Sequence, residues 1–158
     1  MYRVAVLVSC DRAYKGVYED KSGAFLKEKM TEEGYDVACV DILPDDFSLL
    51  KEKLLSYVER GIHLVLTTGG TGFADRDVLP EATKAVVTKE TPGISEAIRA
   101  KSLALTPHAM LSRATAGIKE KTLIINLPGS RKAVEESLSF ILPALPHGLG
   151  VLNGTSDN

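Results

Sequence analysis

The chain alternates between short apolar runs and longer stretches in which apolar residues recur every three or four positions. Four runs are rich in valine and isoleucine: YRVAVLVS (2–9), YDVACVDI (35–42), IHLVLTT (62–68) and KTLIINL (121–127). Continuous apolar character over such short runs is typical of strands that are buried on both faces of a sheet. We therefore predict that these runs form a mostly parallel sheet.

Helical spacing fills the intervals between the predicted strands. Three helices are predicted over 22–33, ended by Gly34, over 47–58, ended by Gly61, and over 134–142, ended by Pro143. Two further helices are expected within 80–105, separated by Pro92 and Gly93. Strands that alternate with helices indicate βαβ units, so the predicted fold is α/β with helices on both faces of the sheet.

Composition favours one globular domain in a reducing compartment. The 158 residues are 44% hydrophobic with a net charge of −2, which allows a sizeable core and excludes a broad surface for nucleic acid or anionic lipid. Cys10 and Cys39 lack metal-ligand spacing and a disulfide framework, so free thiols and a cytoplasmic location are expected. The apolar run before Cys10 is too short for a secretory signal, and no transmembrane run is present. We predict a domain over 1–153 and a flexible tail over 154–158.

Three turn-rich segments follow predicted parallel strands. They are SCDRAYKG (9–16), TTGGTGFADRD (67–77) and NLPGSRK (126–132), and each combines polar side chains with glycine or a basic residue. Ligands of open parallel sheets bind outside the carboxyl ends of the strands. The sequence therefore predicts a polar pocket where these segments meet.

The glycine-rich segment has two interpretations. Gly69, Gly70 and Gly72 would let backbone N–H groups face a phosphate, but GGTG alone also fits a tight turn and matches neither common nucleotide fingerprint. If the loop is a phosphate cradle, Gly70→Val should block the phosphate and leave the fold intact. Asp77 precedes the helix expected at Pro80, so it either serves the pocket or caps that helix.

Five motifs in one order resemble the molybdopterin adenylyltransferase family, which includes bacterial enzymes and the G domain of gephyrin. They are DRAYKGVYEDKSG (11–23), TTGGTGFADRDVLPEAT (67–83), PGISEAIR (92–99), MLSRATAG (110–117) and LIINLPGSRKAV (123–134). The resemblance implies a three-layer α/β/α fold and transfer of AMP from ATP to the terminal phosphate of molybdopterin, with release of pyrophosphate. It also implies dependence on Mg²⁺, a homotrimer and a partner that inserts molybdenum.

The resemblance assigns catalysis to two aspartates, Asp77 and Asp45. As a pair they would hold Mg²⁺ between the phosphates of the substrates, since carboxylates suit this cation. Asp45 lies in ILPDD (42–46), just before a predicted helix, and therefore also fits an N-cap. Asp46 is available to take over that cap.

The resemblance assigns substrate binding to the segments that follow the strands. The residues are Ser9, Asp11, Arg12, Thr67, Thr68, Gly69, Gly70, Thr71, Gly72, Ser112, Arg113, Asn126, Pro128, Gly129 and Ser130. Asp11 and Arg12 also fit a turn with a solvated charge, and Arg113 fits a surface ion pair. The three histidines lack ligand spacing, and Glu81, Lys84, Lys89 and Glu90 are typical of a solvated helix face.

Three positions depart from the family pattern. Cys10 stands between Ser9 and Asp11 where the family has a Ser-Asp-Arg triplet, and Arg131 replaces a proline, where it either donates to a phosphate or faces water. Leu79 replaces a threonine before Pro80. Because threonine is a good N-cap, we predict that Leu79→Thr raises stability by roughly 0.5 to 1 kcal/mol.

Two functions remain open at the level of sequence. The favoured one is adenylyl transfer, and the other is a non-catalytic pterin-binding carrier or assembly protein. The INLPG form of the last loop favours the catalytic branch. A nucleotide-binding domain of another kind is disfavoured, because its fingerprints are missing.

Overall fold

A computed structural model describes residues 1–156 and contains a six-stranded sheet in the order β2-β1-β3-β6-β5-β4. The strands are β1 (Arg3–Ser9), β2 (Asp36–Leu43), β3 (Leu64–Thr68), β4 (Lys89–Glu90), β5 (Ala116–Lys119) and β6 (Thr122–Leu127). The helices are α1 (Asp11–Tyr14), α2 (Lys21–Glu32), α3 (Phe47–Glu59), α4 (Leu79–Val86), α5 (Pro92–Leu103), α6 (Arg131–Ile141) and α7 (Leu145–Leu152). Short 3₁₀ helices span Pro107–Leu111 and Leu142–Ala144.

The sheet is parallel through its apolar centre and antiparallel at one edge. β1 pairs in parallel with β2 and β3, and β3 pairs in parallel with β6. β5 is antiparallel to both β6 and β4. The chain leaves β1 toward β2 and returns to β3 on the other side of β1, so the strand order reverses between β1 and β3. A crevice at the carboxyl ends of these two strands is where such sheets bind ligands.

Two separate cores cover the faces of the sheet. On one face, side chains of α2, α5, α6 and α7, including Leu26, Ile98 and Leu138, pack against the sheet. On the other face, α3 and α4 bury side chains that include Leu54 and Leu79. This arrangement confirms the predicted three-layer α/β/α fold with a mostly parallel sheet.

Helix capping assigns different roles to two neighbouring aspartates. Asp46 is the N-cap of α3 and accepts a hydrogen bond from Leu49 N at 2.9 Å. Asp45 therefore does not cap this helix, and its carboxylate is available for other contacts.

The start of α4 contradicts the prediction made for Leu79. The helix begins at Leu79, its N-cap is Val78, and no side chain caps it. Leu79 is 0% exposed and belongs to the core formed by α3 and α4. A threonine here would place a hydroxyl group in an apolar core instead of at a cap. The predicted gain in stability is therefore wrong in sign.

Several elements fall outside the predicted pattern. β4 and β5 form the antiparallel edge, and α7 follows the predicted stop at Pro143. Lys89 and Glu90 are exposed, but they form β4, so their predicted place on a helix face is wrong. In the segment predicted as a flexible tail, Thr155 N donates to Gly150 O at 2.8 Å, while Asp157 and Asn158 lie outside the described residues. The domain boundary at 153 stays a prediction. Over residues 1–156, no helix has the length and apolar character needed to span a membrane.

Candidate functional site

A polar cleft of about 230 Å³ opens at the carboxyl ends of β1 and β3. It brings together the three predicted segments, and its lining residues are Val8, Ser9, Cys10, Ala13, Tyr18, Asp20, Ser22, Asp45, Thr68, Gly69, Gly70, Asp77 and Gly129. Both predicted catalytic aspartates face it. The predicted location of the pocket is therefore confirmed.

The glycine loop, defined here as residues 69–72, needs glycine for its own geometry. Gly69 has φ +89°, and a Cβ there would lie 2.3 Å from Ser9 O. Gly70 has φ +65°, and its Cβ would lie 3.2 Å from both Leu79 Cβ and Ser9 Oγ. The interpretation as a tight turn is thus confirmed, and phosphate binding stays a prediction. The expectation that Gly70→Val leaves the fold intact is wrong, since valine disfavours positive φ and would press on Leu79.

Asp45 is held by side chains and backbone that follow β1. Ser9 Oγ donates to Asp45 Oδ1 at 2.6 Å, and Asp11 N donates to Asp45 Oδ2 at 3.1 Å. In return, Asp45 N donates to Asp11 Oδ1 at 2.9 Å. These bonds tie the start of α1 to the loop between β2 and α3 and fix the carboxylate of Asp45 at the cleft. Ser9 thus contacts Asp45 although Cys10 separates it from Asp11, and its predicted contact with substrate stays a prediction.

Arg76 extends this network through Asp11. Its Nε and Nη2 donate to the two carboxylate oxygens of Asp11 at 2.5 and 2.9 Å. The Arg76 hydrogen bond, followed by the backbone bond from Asp45, lowers the pKa of Asp11 to about 2. Asp11 is thus a charged link between Arg76 and Asp45 and does not itself line the cleft.

Asp77 is held by its own loop. Its Oδ2 accepts a hydrogen bond from Ala74 N at 3.0 Å, and a Cβ on Gly72 would come within 2.8 Å of the same oxygen. α4 has no side-chain cap, so the capping role considered for Asp77 is wrong. Glycine at 72 therefore provides the space that the Asp77 carboxylate occupies.

The oxygen donors of the cleft suit Mg²⁺ bound together with a substrate. Among residues 1–156, no three His, Cys, Asp or Glu side chains form a metal centre by themselves. Mg²⁺ is usually held by one or two carboxylates plus substrate phosphates and water. Asp45 and Asp77 line one cleft and provide such a pair.

A second cavity of about 430 Å³ lies on the other side of the glycine loop. The two cavities are lined by consecutive residues of one chain segment. Thr68–Gly70 line the cleft, and Thr71, Gly72 and Phe73 line the second cavity. Ser112 and Pro128 also line it, among apolar side chains that include Ile98 and Leu111. Nine of the fifteen predicted binding residues therefore line one of these two cavities, five the cleft and four the second cavity.

Thr67 and Asn126 lie behind the cleft. Both are 0% exposed. Asn126 Nδ2 donates to Thr67 Oγ1 and Thr83 Oγ1 at 2.9 Å, and its Oδ1 accepts from Thr115 N. The structure thus makes them an internal polar bridge that joins β3 and β6 to α4.

Three predicted polar residues lie at the edge of the site. Arg12 is exposed, with its guanidinium 5.4 Å from the ring centroid of Tyr18. Ser130 is the N-cap of α6 and accepts from Ala133 N at 3.2 Å. Arg131 pairs with Glu135 and lies over the ring of Phe25. Its guanidinium is used in these two contacts, which disfavours the role of phosphate donor considered for it.

Arg113 forms the ion pair that was considered for it, and Glu81 is the partner. Arg113 Nη1 lies 3.0 and 2.8 Å from the two carboxylate oxygens of Glu81. This bond lowers the pKa of Glu81 and raises that of Arg113. Glu81 is therefore not a freely solvated helix residue, and Arg113 lies outside the lining of both cavities.

Sequence reasoning missed three residues of the cleft: Tyr18, Asp20 and Ser22. Asp20 is the N-cap of α2, and Ser22 Oγ donates to Gly129 O at 2.7 Å. A signal was present, because the three residues lie in the motif DRAYKGVYEDKSG (11–23), which runs from the end of β1 into the first turn of α2. Cys10 also lines the cleft and caps α1 through its sulfur. Both cysteines are free thiols, as predicted.

Comparison with known proteins agrees with this geometry. Residues 5–147 match a family model described as a probable molybdopterin binding domain. The chain is 44% identical over 154 residues to a molybdopterin adenylyltransferase of Helicobacter pylori, covering 96% of this chain and 88% of the relative. It is 41% identical over 160 residues to gephyrin of Dictyostelium discoideum, covering 95% of this chain but only 22% of gephyrin.

A solved structure also supports membership of this family. A crystal structure of the molybdopterin biosynthesis enzyme MoaB of Thermus thermophilus superposes with a TM-score of 0.92 at 41% identity and covers 98% of both chains. The chain therefore belongs to the molybdopterin-binding domain family that includes the molybdopterin adenylyltransferases.

Proposed function

We propose that this chain transfers the AMP group of ATP to the terminal phosphate of molybdopterin and releases pyrophosphate. The observation that carries the proposal is the placement of Asp45 and Asp77 on one cleft beside a glycine loop. Family membership and the names of the bacterial relatives support it.

The reaction joins two anions. A terminal phosphate oxygen of molybdopterin attacks the α-phosphorus of ATP, a new P–O–P bond forms, and the bond to the leaving pyrophosphate breaks. Catalysis of such a step rests on alignment and on neutralisation of charge. Backbone N–H groups of the glycine loop, aided by the dipole at the start of α4, are suited to hold phosphate oxygens.

The charges of the cleft support a role for Mg²⁺. Asp20, Asp45 and Asp77 line it, whereas no lysine or arginine within residues 1–156 does so. Asp45 and Asp77 would hold the cation, which supplies neutralisation of phosphate charge when bound. ATP and molybdopterin would otherwise meet mainly carboxylates, which repel them.

The two cavities suit a two-substrate reaction. The cleft is polar and lined by glycines, whereas the second cavity is lined by Phe73, Ile98 and Leu111. Phosphates fit the first environment, and a ring system fits the second. Thr71 follows the residues that line the cleft and is the first that lines the second cavity. A ligand that occupies both cavities would therefore pass over Thr71.

Assembly and location belong to the same proposal. The product carries an activated phosphoanhydride, which a partner protein would consume, and the family resemblance implies that this partner is a molybdenum insertase. A homotrimer in the cytoplasm is proposed from the family resemblance and the free thiols. Analytical ultracentrifugation of the purified chain tests the trimer directly.

The function is tested by incubating the purified protein with molybdopterin, ATP and Mg²⁺ under anaerobic conditions. We expect equal amounts of adenylylated pterin and pyrophosphate, and no ATP consumption without the pterin. Omission of Mg²⁺ should stop formation of both products. A protein that binds molybdopterin but leaves ATP unchanged would instead be a carrier or assembly protein.

A further inference from the structure

We propose that Arg113 is a positioning residue, which holds the glycine loop so that Asp77 faces the cleft, and that it does not contact substrate. The inference rests on the proposed adenylyl transfer for its meaning. The hydrogen bonds that support it are formed within the protein itself.

Arg113 joins the two ends of one loop segment. Its Nε donates to Gly72 O at 2.8 Å, and its Nη2 donates to Asp77 O at 2.6 Å. Its backbone N–H donates to Thr71 O at 2.9 Å. One residue therefore fixes the distance between positions 72 and 77.

That distance determines where the carboxylate of Asp77 lies. The carboxylate occupies space that a Cβ on Gly72 would fill, with 2.8 Å between them. Residues 73–76 between the two ends are exposed, so no core packing holds them. If the ends separated, Ala74 N would leave Asp77 Oδ2, to which it donates at 3.0 Å.

Each of the three guanidinium nitrogens of Arg113 already donates a hydrogen bond inside the protein. Nε and Nη2 bind the loop carbonyls, and Nη1 binds both oxygens of Glu81. A phosphate could bind this guanidinium fully only by displacing one of these partners. A clamp of the loop therefore explains the contacts of Nε and Nη2, and the ion pair with Glu81 is the remaining contact.

Two substitutions separate the clamp from the ion pair. Arg113→Lys keeps the charge opposite Glu81 but loses the planar fork that reaches two carbonyls at once. Glu81→Gln removes the opposite charge but leaves the guanidinium and both carbonyls in place. If the ion pair alone mattered, the two variants would behave alike.

The first experiment measures turnover with both substrates. Arg113→Lys should lower kcat by about tenfold or more, because small displacements of a catalytic group are costly, while Glu81→Gln stays within about threefold of wild type. Combined with Asp77→Asn, Arg113→Lys should add little, since it acts through Asp77. Losses that multiply in the double variant, or equal losses in Arg113→Lys and Glu81→Gln, would overturn the proposal.

The second experiment does not depend on turnover. Hydrogen–deuterium exchange of the amides at 73–77 in the free protein should be about tenfold faster in Arg113→Lys and near the wild-type rate in Glu81→Gln. Unchanged exchange in Arg113→Lys would refute the clamp. If exchange is faster in Arg113→Lys but the wild-type protein never consumes ATP, only the proposed function would be refuted. If Arg113→Lys does not fold, Arg113→Gln replaces it in both measurements.

Discussion

The two aspartates of the cleft are held by different kinds of structure. Asp45 sits in a network of polar side chains, in which both of its oxygens accept a hydrogen bond and the exposed Arg76 holds the outer end through Asp11. Asp77 sits in a backbone loop that is fixed by the half-buried Arg113 and rests on the fully buried Leu79. The carboxylate of Asp45 is thus positioned by a network of polar and charged side chains, and that of Asp77 by hydrogen bonds within a loop whose Gly70 lies against a core leucine.

This difference predicts that the two sides respond to different perturbations. An exposed ion pair weakens with salt and at low pH, because screening and protonation act on charge. A loop that rests on a core leucine responds instead to lost volume or to a buried hydroxyl group. The following variants test the comparison, from the largest expected effect to the smallest.

The largest effect is expected when both aspartates change. Asp45→Asn and Asp77→Asn should each reduce kcat, and the double variant should lose on the order of a hundredfold or more, little worse than the more damaging single variant. Steady-state kinetics of the three variants checks this. Losses that multiply would show that the two carboxylates act independently and do not share one cation.

Leu79→Thr tests the packed side of the cleft. Because it removes buried volume and adds a hydroxyl group to the core, we expect a loss of about 2 kcal/mol in the free energy of unfolding. Urea unfolding followed by circular dichroism measures it, with Leu79→Met as a volume-conserving control. An unchanged or higher stability would show that the hydroxyl group finds a partner at the start of α4.

Gly129→Ala narrows the cleft without straining the backbone. The added methyl group would lie 3.5 Å from Gly69 Cα, an ordinary contact, and Gly129 has no positive φ. We expect the affinity for molybdopterin to fall by about tenfold while the midpoint of thermal unfolding stays near that of wild type. Ligand affinity equal to wild type would contradict phosphate binding between these two loops. Gly70→Val is less suitable, because it also disturbs Leu79.

Arg76→Gln should give the smallest effect, on the charged side only. The pKa of Asp11 in the folded protein, about 2, lies below its ordinary value of 3.8. A lowered pKa stabilises the fold above the ordinary value, and this contribution is lost as pH falls from about 4 to 2. Thermal melts should therefore show less acid sensitivity over this window in Arg76→Gln than in wild type. An identical pH dependence would show that the ion pair contributes nothing measurable.

β1, β3 and β6 could be predicted because they are buried on both faces, whereas β2, predicted in the same way, is a partly buried strand at the edge of the sheet. β1, β2, β3 and β6 give continuous apolar runs, whereas β4 is an exposed two-residue strand, Lys89–Glu90, with no such signal. α7 was missed because proline and glycine, which interrupt its sequence LPHGLGVL, usually mark loops. The pattern therefore reports burial more reliably than it reports the edge of the sheet.

Site residues could be predicted where the order of strands along the chain determines their position. They could not be predicted where the direction of the side chain decides whether they reach the cleft. Asp45 and Asp77 follow strands that end at the same edge, so they face one cleft. Thr67 and Asn126 lie at the ends of strands buried on both faces, and the sequence does not show which face each side chain takes. Arg113 lies far from the loop along the chain, and only the folded structure shows that it clamps the loop.

The most direct test of the account compares turnover with binding in Asp77→Asn. Single-turnover formation of adenylylated pterin and the Kd for molybdopterin are measured on the same preparations of wild type and variant. Asparagine keeps the size of the side chain and an oxygen for Ala74 N, so the rate should fall by on the order of a hundredfold while Kd changes by less than about threefold. A wild-type rate in Asp77→Asn, or a loss confined to Kd, would contradict the assigned role of this carboxylate in adenylyl transfer.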